Sequence, residues 1–201
     1  MTWSEHSIAR AISLQTLDRK CVVLVDNCNW TGHECDVLAV TTDLRIIDVE
    51  VKISRSDLKA DAHKDKWWRR YYDGTYETVV THGREHRRPV QQEQARVHPP
   101  KVWKHYYAMP AAIWKPELLD CLPSKASGVL LLREGVDRRE PPVVVNCERR
   151  ATPNKDATRL KPEQVMDIAR LANLRMWEAY QRQTLAESAA QAARAGGSGT
   201  T

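Results

Sequence analysis

The chain has 201 residues, a formal net charge of +5 and 28% charged side chains. That length supports one sizeable core with appendages, and the positive balance leans toward an anionic partner, nucleic acid first. The start, "MTWSEHSIARAISLQTLDRK", lacks the apolar segment of a signal peptide, and the longest apolar runs, "VVLV" and "GVLLL", fall far short of the ~20 residues that span a bilayer, so a soluble, cytoplasmic chain that engages no membrane is expected.

In chain order, residues 4–18 read as a helix capped by Ser4, with Ile8, Ala11, Ile12 and Leu14 at apolar spacing. "CVVLVDN" and "ECDVLAVT" read as strands, and "LRIIDVEVKIS" as a third, joined to the second by a connection short enough for an antiparallel hairpin. A helix is expected over 55–72, with Ser54 as N-cap and Asp57 in the capping-box position. Residues 73–101 form a polar insertion with several arginines, in which "YETVVTHGREHRRPV" suggests a hairpin. "VWKHYYAMP" resumes as a strand, "PELLDCL" as a short helix, and "GVLLLRE" and "PPVVVNCERR" as strands. Pro162 starts an amphipathic helix, and 183–201 reads as a flexible tail to a single domain over 1–182.

Alternation puts Ile46, Asp48, Glu50, Lys52 and Ser54 on one face of the third strand. If the hairpin turns at 42–44, position n faces about 86 minus n, which sets Asp36 opposite Glu50, within one residue. Cross-strand neighbours lie ~4.5–5.5 Å apart, and two carboxylates at that distance repel. Asp36 also sits in the apolar segment "CDVLAV", so solvent does not relieve the repulsion. A divalent cation reverses its sign, since Mg²⁺ is commonly held by one or two carboxylates, with water and phosphate oxygens completing its shell. Lys52, on the same face, is then placed to stabilise charge on a phosphate or to lie beside an attacking water. The set is suited to metal-assisted phosphodiester hydrolysis.

Asp36, followed after a hairpin by Glu50-Val51-Lys52, resembles the PD-(D/E)xK nuclease superfamily. "VEVKISRSDLKADAHKDKW", with the later "HYYAMP" and "LPSKASGVLLL", is similar to its MmcB-like DNA-repair branch. The resemblance covers about residues 3 to 133. It implies an α/β, restriction-endonuclease-like core, a mixed central sheet flanked by helices in the order αβββαβ, then a further strand and a C-terminal helix. It also implies a Mg²⁺- or Mn²⁺-dependent DNA nuclease, with Asp36, Glu50 and the Val51 carbonyl as metal ligands and Lys52 as the catalytic lysine. Many members carry a glutamate on the first helix that points into the site, and Glu5 is its counterpart here; a plain first-turn acid is the alternative. Cys35 stands where the family name has Pro.

Around this centre, Lys59, His63, Lys66 and Arg70 would form a basic stripe on the 55–72 helix. Arg84, Arg87 and Arg88 would make the insertion a DNA contact, with a solvated surface as the alternative for both. DNA is the expected partner, RNA stays open, and a homodimer is one outcome for an enzyme that cuts both strands. A non-catalytic nucleic-acid-binding or interaction protein on the same fold is the alternative function. The five cysteines, without a CxxC pair, read as reduced thiols. Cys28, His33 and Cys35 match no zinc spacing. His98 and His105 have no assignable partner in the sequence.

Overall fold

The computed structural model describes residues 2–137 and 139–196. Helix α1 (Glu5–Ile12) starts at a reciprocal cap, in which the Ser7 N–H donates to the Ser4 hydroxyl at 3.2 Å and the Ser4 N–H to the Ser7 hydroxyl at 3.1 Å. A π-helical turn at Ser13–Leu17 then rotates Leu17 into the core. Strands β1 (Cys21–Cys28), β2 (Cys35–Thr41) and β3 (Ile46–Val51) form an antiparallel meander. The β2–β3 turn puts Leu44 at φ 62°, and the Thr41 hydroxyl accepts the Arg45 N–H at 3.0 Å. The register, Val37 against Val49 through Val40 against Ile46, follows the expected sum of 86.

The helix expected over 55–72 is much shorter. Helix α2 (Arg55–Ala60) is capped by Ser54 and gives way to 3₁₀ turns at Asp61–His63 and Asp65–Trp67. From Trp68 the chain is extended, forming the hairpin β4 (Trp68–Thr81) and β5 (Arg84–Ala95) that turns at His82-Gly83, both at positive φ. The ribbon is thus real, but it begins before residue 73 and takes Arg70, Tyr71 and Tyr72 out of the helix. Strand β6 (Val102–Pro110) returns parallel to β3, followed by β7 (Gly128–Glu134) and β8 (Val143–Arg149). The six-stranded mixed sheet runs β1-β2-β3-β6-β7-β8.

Each face of the sheet carries helical structure. On one face, Ile8, Ala11 and Ile12 of α1 and Leu17 pack on Val37, Ile47, Val49, Val51 and Leu130. On the other, α3 (Pro162–Gly196) lays Ile168 against Val25, Leu38, Val40 and Ile46, while Leu58 and Trp67 pack on Tyr107 and Met109. This helix continues past residue 182 through most of the segment expected to be a tail. Residues 197–201 lie outside the described residues. Among the described residues, no helix is long and apolar enough to cross a membrane.

Ile168 is fully buried and anchors α3 to the sheet. Ile168→Ala is expected to destabilise the fold by about 2–5 kcal/mol, measured as a shift in the urea unfolding midpoint at unchanged slope.

Candidate functional site

The two apolar clusters on the α3 face leave room for a polar group. Asp48 and Glu50 of β3, with Lys52 just beyond, alternate to this face as expected, and all three are at most 2% exposed. Across the parallel ladder, Asp48 pairs with His105 and Glu50 with Tyr107. The Tyr107 hydroxyl and the Trp67 indole N–H both donate to Asp61 Oδ2, the latter at 3.0 Å. Three buried acids are thereby gathered: Asp48, Glu50 and Asp61.

Three lysines answer them. The Lys52 ammonium lies 3.2 Å from Glu50 Oε2 and 3.0 Å from Asp61 Oδ1. The Lys64 ammonium bridges the same two oxygens at 3.0 and 2.9 Å. Lys66 takes Glu50 Oε1 and also faces Asp48 Oδ2 at 4.0 Å. Burial opposes ionisation of Glu50, yet Lys66 and Lys52 hold its carboxyl below the usual range. Burial likewise opposes the Lys52 charge, but Asp61 and Glu50 outweigh it and keep the ammonium protonated.

The early end of α2 explains this set. Lys64 at ψ 140° leaves the helical path, so Lys64 and Lys66 turn inward. The basic stripe expected on a 55–72 helix is therefore not formed. Lys66 is buried rather than a surface contact for a phosphate backbone. Lys59 and His63 remain exposed. Arg70 is on β4 and bound to Asp65 and Glu93, each at 2.8 Å. Of the insertion arginines, Arg88 pairs with Glu77 at 2.9 Å and Arg87 lies 5.2 Å over the Tyr76 ring. Arg84 and Arg87 have no acidic partner among the described residues.

Asp36 is placed differently. The β2–β3 ladder ends at Val37–Val49, and beyond it the Val51 N–H donates to Asp36 Oδ2 at 2.6 Å. Among the described residues no cation lies within ion-pair distance of Asp36. Burial, with Glu50 adding to it, pushes this carboxyl up to about 6. It opens on a 310 Å³ crevice shared with Glu5, His6, Asp26, Asn27, Arg175 and Arg182. Glu5 lines the same crevice as Asp36. The α3 arginines and Asp26 had no sequence signal, because only the packing of α3 on β1 brings them there. A larger, 580 Å³ cavity lies at the Thr41 end of the sheet, lined by Lys20, Trp103, Lys104 and Arg150, apart from this acidic centre.

Comparison with known proteins identifies no function. No family model matches the sequence, and no curated protein matches it. Among solved structures, the SPO1766 protein of unknown function from Silicibacter pomeroyi is similar, with 16% identity and a TM-score of 0.52 over 93% of this chain and 96% of that one. The chain therefore has an established mixed α/β fold with a C-terminal helix, and its chemistry has to be argued from its own residues.

Removing one partner from a buried ion cluster leaves an uncompensated charge, at a cost of about 3–5 kcal/mol. Lys66→Met is expected to destabilise by that amount, whereas Lys64→Met, at a side chain 48% exposed, is expected to change the urea midpoint only slightly. Two groups are expected to oppose each other on mild acidification. His105 is held down to about 4 by burial, so between about pH 6 and 4.5 the unfolded chain takes up a proton the folded chain refuses, and stability falls. Asp36, raised to about 6, holds a proton the unfolded chain releases, and stability rises over the same interval. On that acidification His105→Gln should gain stability and Asp36→Asn should lose it, as read from urea midpoints.

Proposed function

We propose that this protein is a metal-dependent phosphodiesterase of the restriction-endonuclease-like class, a nuclease acting on DNA. One observation carries the reading: a partly buried carboxylate, Asp36, with no cation within ion-pair distance among the described residues, stands at the end of the strand pair that presents Glu50 and leads into Lys52. The order of a helix, a three-strand meander, a second helix and a strand parallel to β3 supports the same assignment.

The donor set fits a hard divalent ion. Asp36 and Glu50, with the Val51 carbonyl, offer oxygen ligands suited to Mg²⁺ or Mn²⁺, and Glu5 adds a carboxylate from across the crevice. Such an ion supplies Lewis acidity and lowers the pKa of bound water. Glu50 is shared with lysines, but Lys64 is half-exposed and can withdraw toward solvent. Lys52, kept protonated by Asp61 and Glu50, is set up to stabilise negative charge on phosphorus rather than to accept a proton. Arg175 and Arg182 line the crevice and can receive a phosphodiester backbone. The β4–β5 ribbon, presenting Arg84 and Arg87, has the width of a two-stranded element that a major groove admits.

A second reading has its own observation. Three acids are matched by three lysines of the same chain, and such internal charge balance is consistent with a non-catalytic nucleic-acid-binding protein on this fold. Cleavage of labelled linear, nicked, branched and single-stranded DNA, and of RNA, separates the two. Metal-dependent cutting that falls at least about a hundredfold in Asp36→Asn, without loss of folding, is the expected result. Failure to cut any of them in Mn²⁺ or Mg²⁺, with binding unchanged in EDTA, would favour the second reading.

The raised Asp36 also fixes a pH dependence. A proton competes with the cation for this carboxylate below about 6, so Mn²⁺ affinity should fall up to about tenfold per pH unit there and level off above. Calorimetric Mn²⁺ titrations across that range should show this dependence in the wild type and lose it in Asp36→Asn.

A further inference from the structure

The geometry points to a second metal site, separate from the Asp36 carboxylate, in which His33, Cys35 and Asp48 bind a borderline-soft ion of the Zn²⁺ type. One ligand atom from each of the three lies within 4.8 Å of the others. Cys28, His33 and Cys35 match no zinc spacing in the sequence; the fold instead supplies Asp48 from the neighbouring strand.

The segment between β1 and β2 is shaped to deliver the histidine. The Gly32 N–H donates to the Asn29 carbonyl at 3.0 Å, and Gly32 takes φ 98°, a conformation that favours glycine. The Thr31 hydroxyl donates to the His33 carbonyl at 2.9 Å. His33 Nε2 thereby comes within 3.2 Å of Asp48 Oδ2. Cys35 and Asp48 are completely buried, while the His33 side chain keeps 13% exposure.

A second observation supports the site. Among the described residues, Asp48 Oδ1 is buried and has no hydrogen-bond partner. Native proteins seldom leave a buried carboxylate oxygen unpaired, because its desolvation is then uncompensated. A simple His33–Asp48 bond accounts for Oδ2 and leaves Oδ1 unexplained, while the Cys35 thiol lies 3.5 Å from the Thr31 hydroxyl. Imidazole, thiolate and carboxylate together are a donor set for Zn²⁺, and three protein ligands leave one position for water. They do not suit Mg²⁺, which takes oxygen ligands. The Lys66 ammonium, 4.0 Å from Asp48, is nearer to Glu50 and stays paired there. His105 Nε2, 3.7 Å from Asp48 Oδ2, is the other group facing this carboxylate. On binding, Cys35 loses its thiol proton to solvent and His33 offers the Nε2 lone pair, so affinity rises with pH. Loading would tie the 29–34 segment to β3.

The test is titration of the EDTA-dialysed full chain with Co²⁺, read by the near-ultraviolet thiolate-to-cobalt charge-transfer band. One equivalent is expected to develop the band, Zn²⁺ to displace it, and excess Mg²⁺ to leave it. The band should vanish in Cys35→Ser and its midpoint should weaken at least about tenfold in His33→Gln. Asp36→Asn should leave it unchanged, which keeps the result independent of the nuclease reading. No band in the wild type would overturn the proposal. So would a band that survives His33→Gln at unchanged affinity, which would mark another cysteine, or one lost in Asp36→Asn. His33 sits in a partly exposed loop, so that variant decides the matter even if Cys35→Ser fails to fold.

Discussion

The carboxylate of Glu50 is buried in the middle of a sheet, and the path of the chain on either side of it follows from the need to neutralise it. Moving an ion of this size from water into protein costs several kcal/mol even after relaxation. Three lysines converge on Glu50, and two further acids, Asp48 and Asp61, share them. Such a cluster is a poor source of net stability, because desolvation offsets most of the attraction. Its consequence is geometric: α2 has to stop at Ala60 so that Lys64 and Lys66 can turn inward.

That stop has further effects. Trp67 is carried into the core, where its indole N–H is satisfied by Asp61, and Trp68 donates to the Ala62 carbonyl at 3.1 Å. From there the chain leaves as the β4–β5 ribbon and re-enters at β6, whose Tyr107 closes on Asp61. His105 is buried with Ser127 Oγ at 3.0 Å from Nδ1, and its ring meets those of Trp67 and Tyr107 edge-on. The parallel β3–β6 pairing thus brings acids and their partners together on one face while the opposite face stays apolar.

Asp36 escapes this neutralisation. It terminates a strand pair instead of lying within one, so its single N–H partner comes from Val51 and its other side faces the crevice. The centre therefore has a saturated half, Glu50 among its lysines, and an unsaturated half, Asp36 beside Glu5. In the crevice, Arg175 and Arg182 share the lining with Glu5, Asp26 and Asp36.

The meander and the polar face of β3 were legible in the sequence because strand alternation and a short turn are local. The sum of 86 follows from turn position alone, and β2 and β3 keep it. Ser4 and Ser54 were readable as caps for the same reason. The 55–72 segment was not legible. Its charge and aromatic spacing satisfy a helix, and only the buried acids of β3 make a break at an extended Lys64 more favourable than another helical turn. Nor did sequence bring Asp48 to His33 and Cys35, or Arg175 and Arg182 to Asp36, since those contacts cross strands or join segments more than a hundred residues apart. Local periodicity fixes which face a side chain occupies; only the packed sheet, by excluding water from that face, decides which charges must meet there.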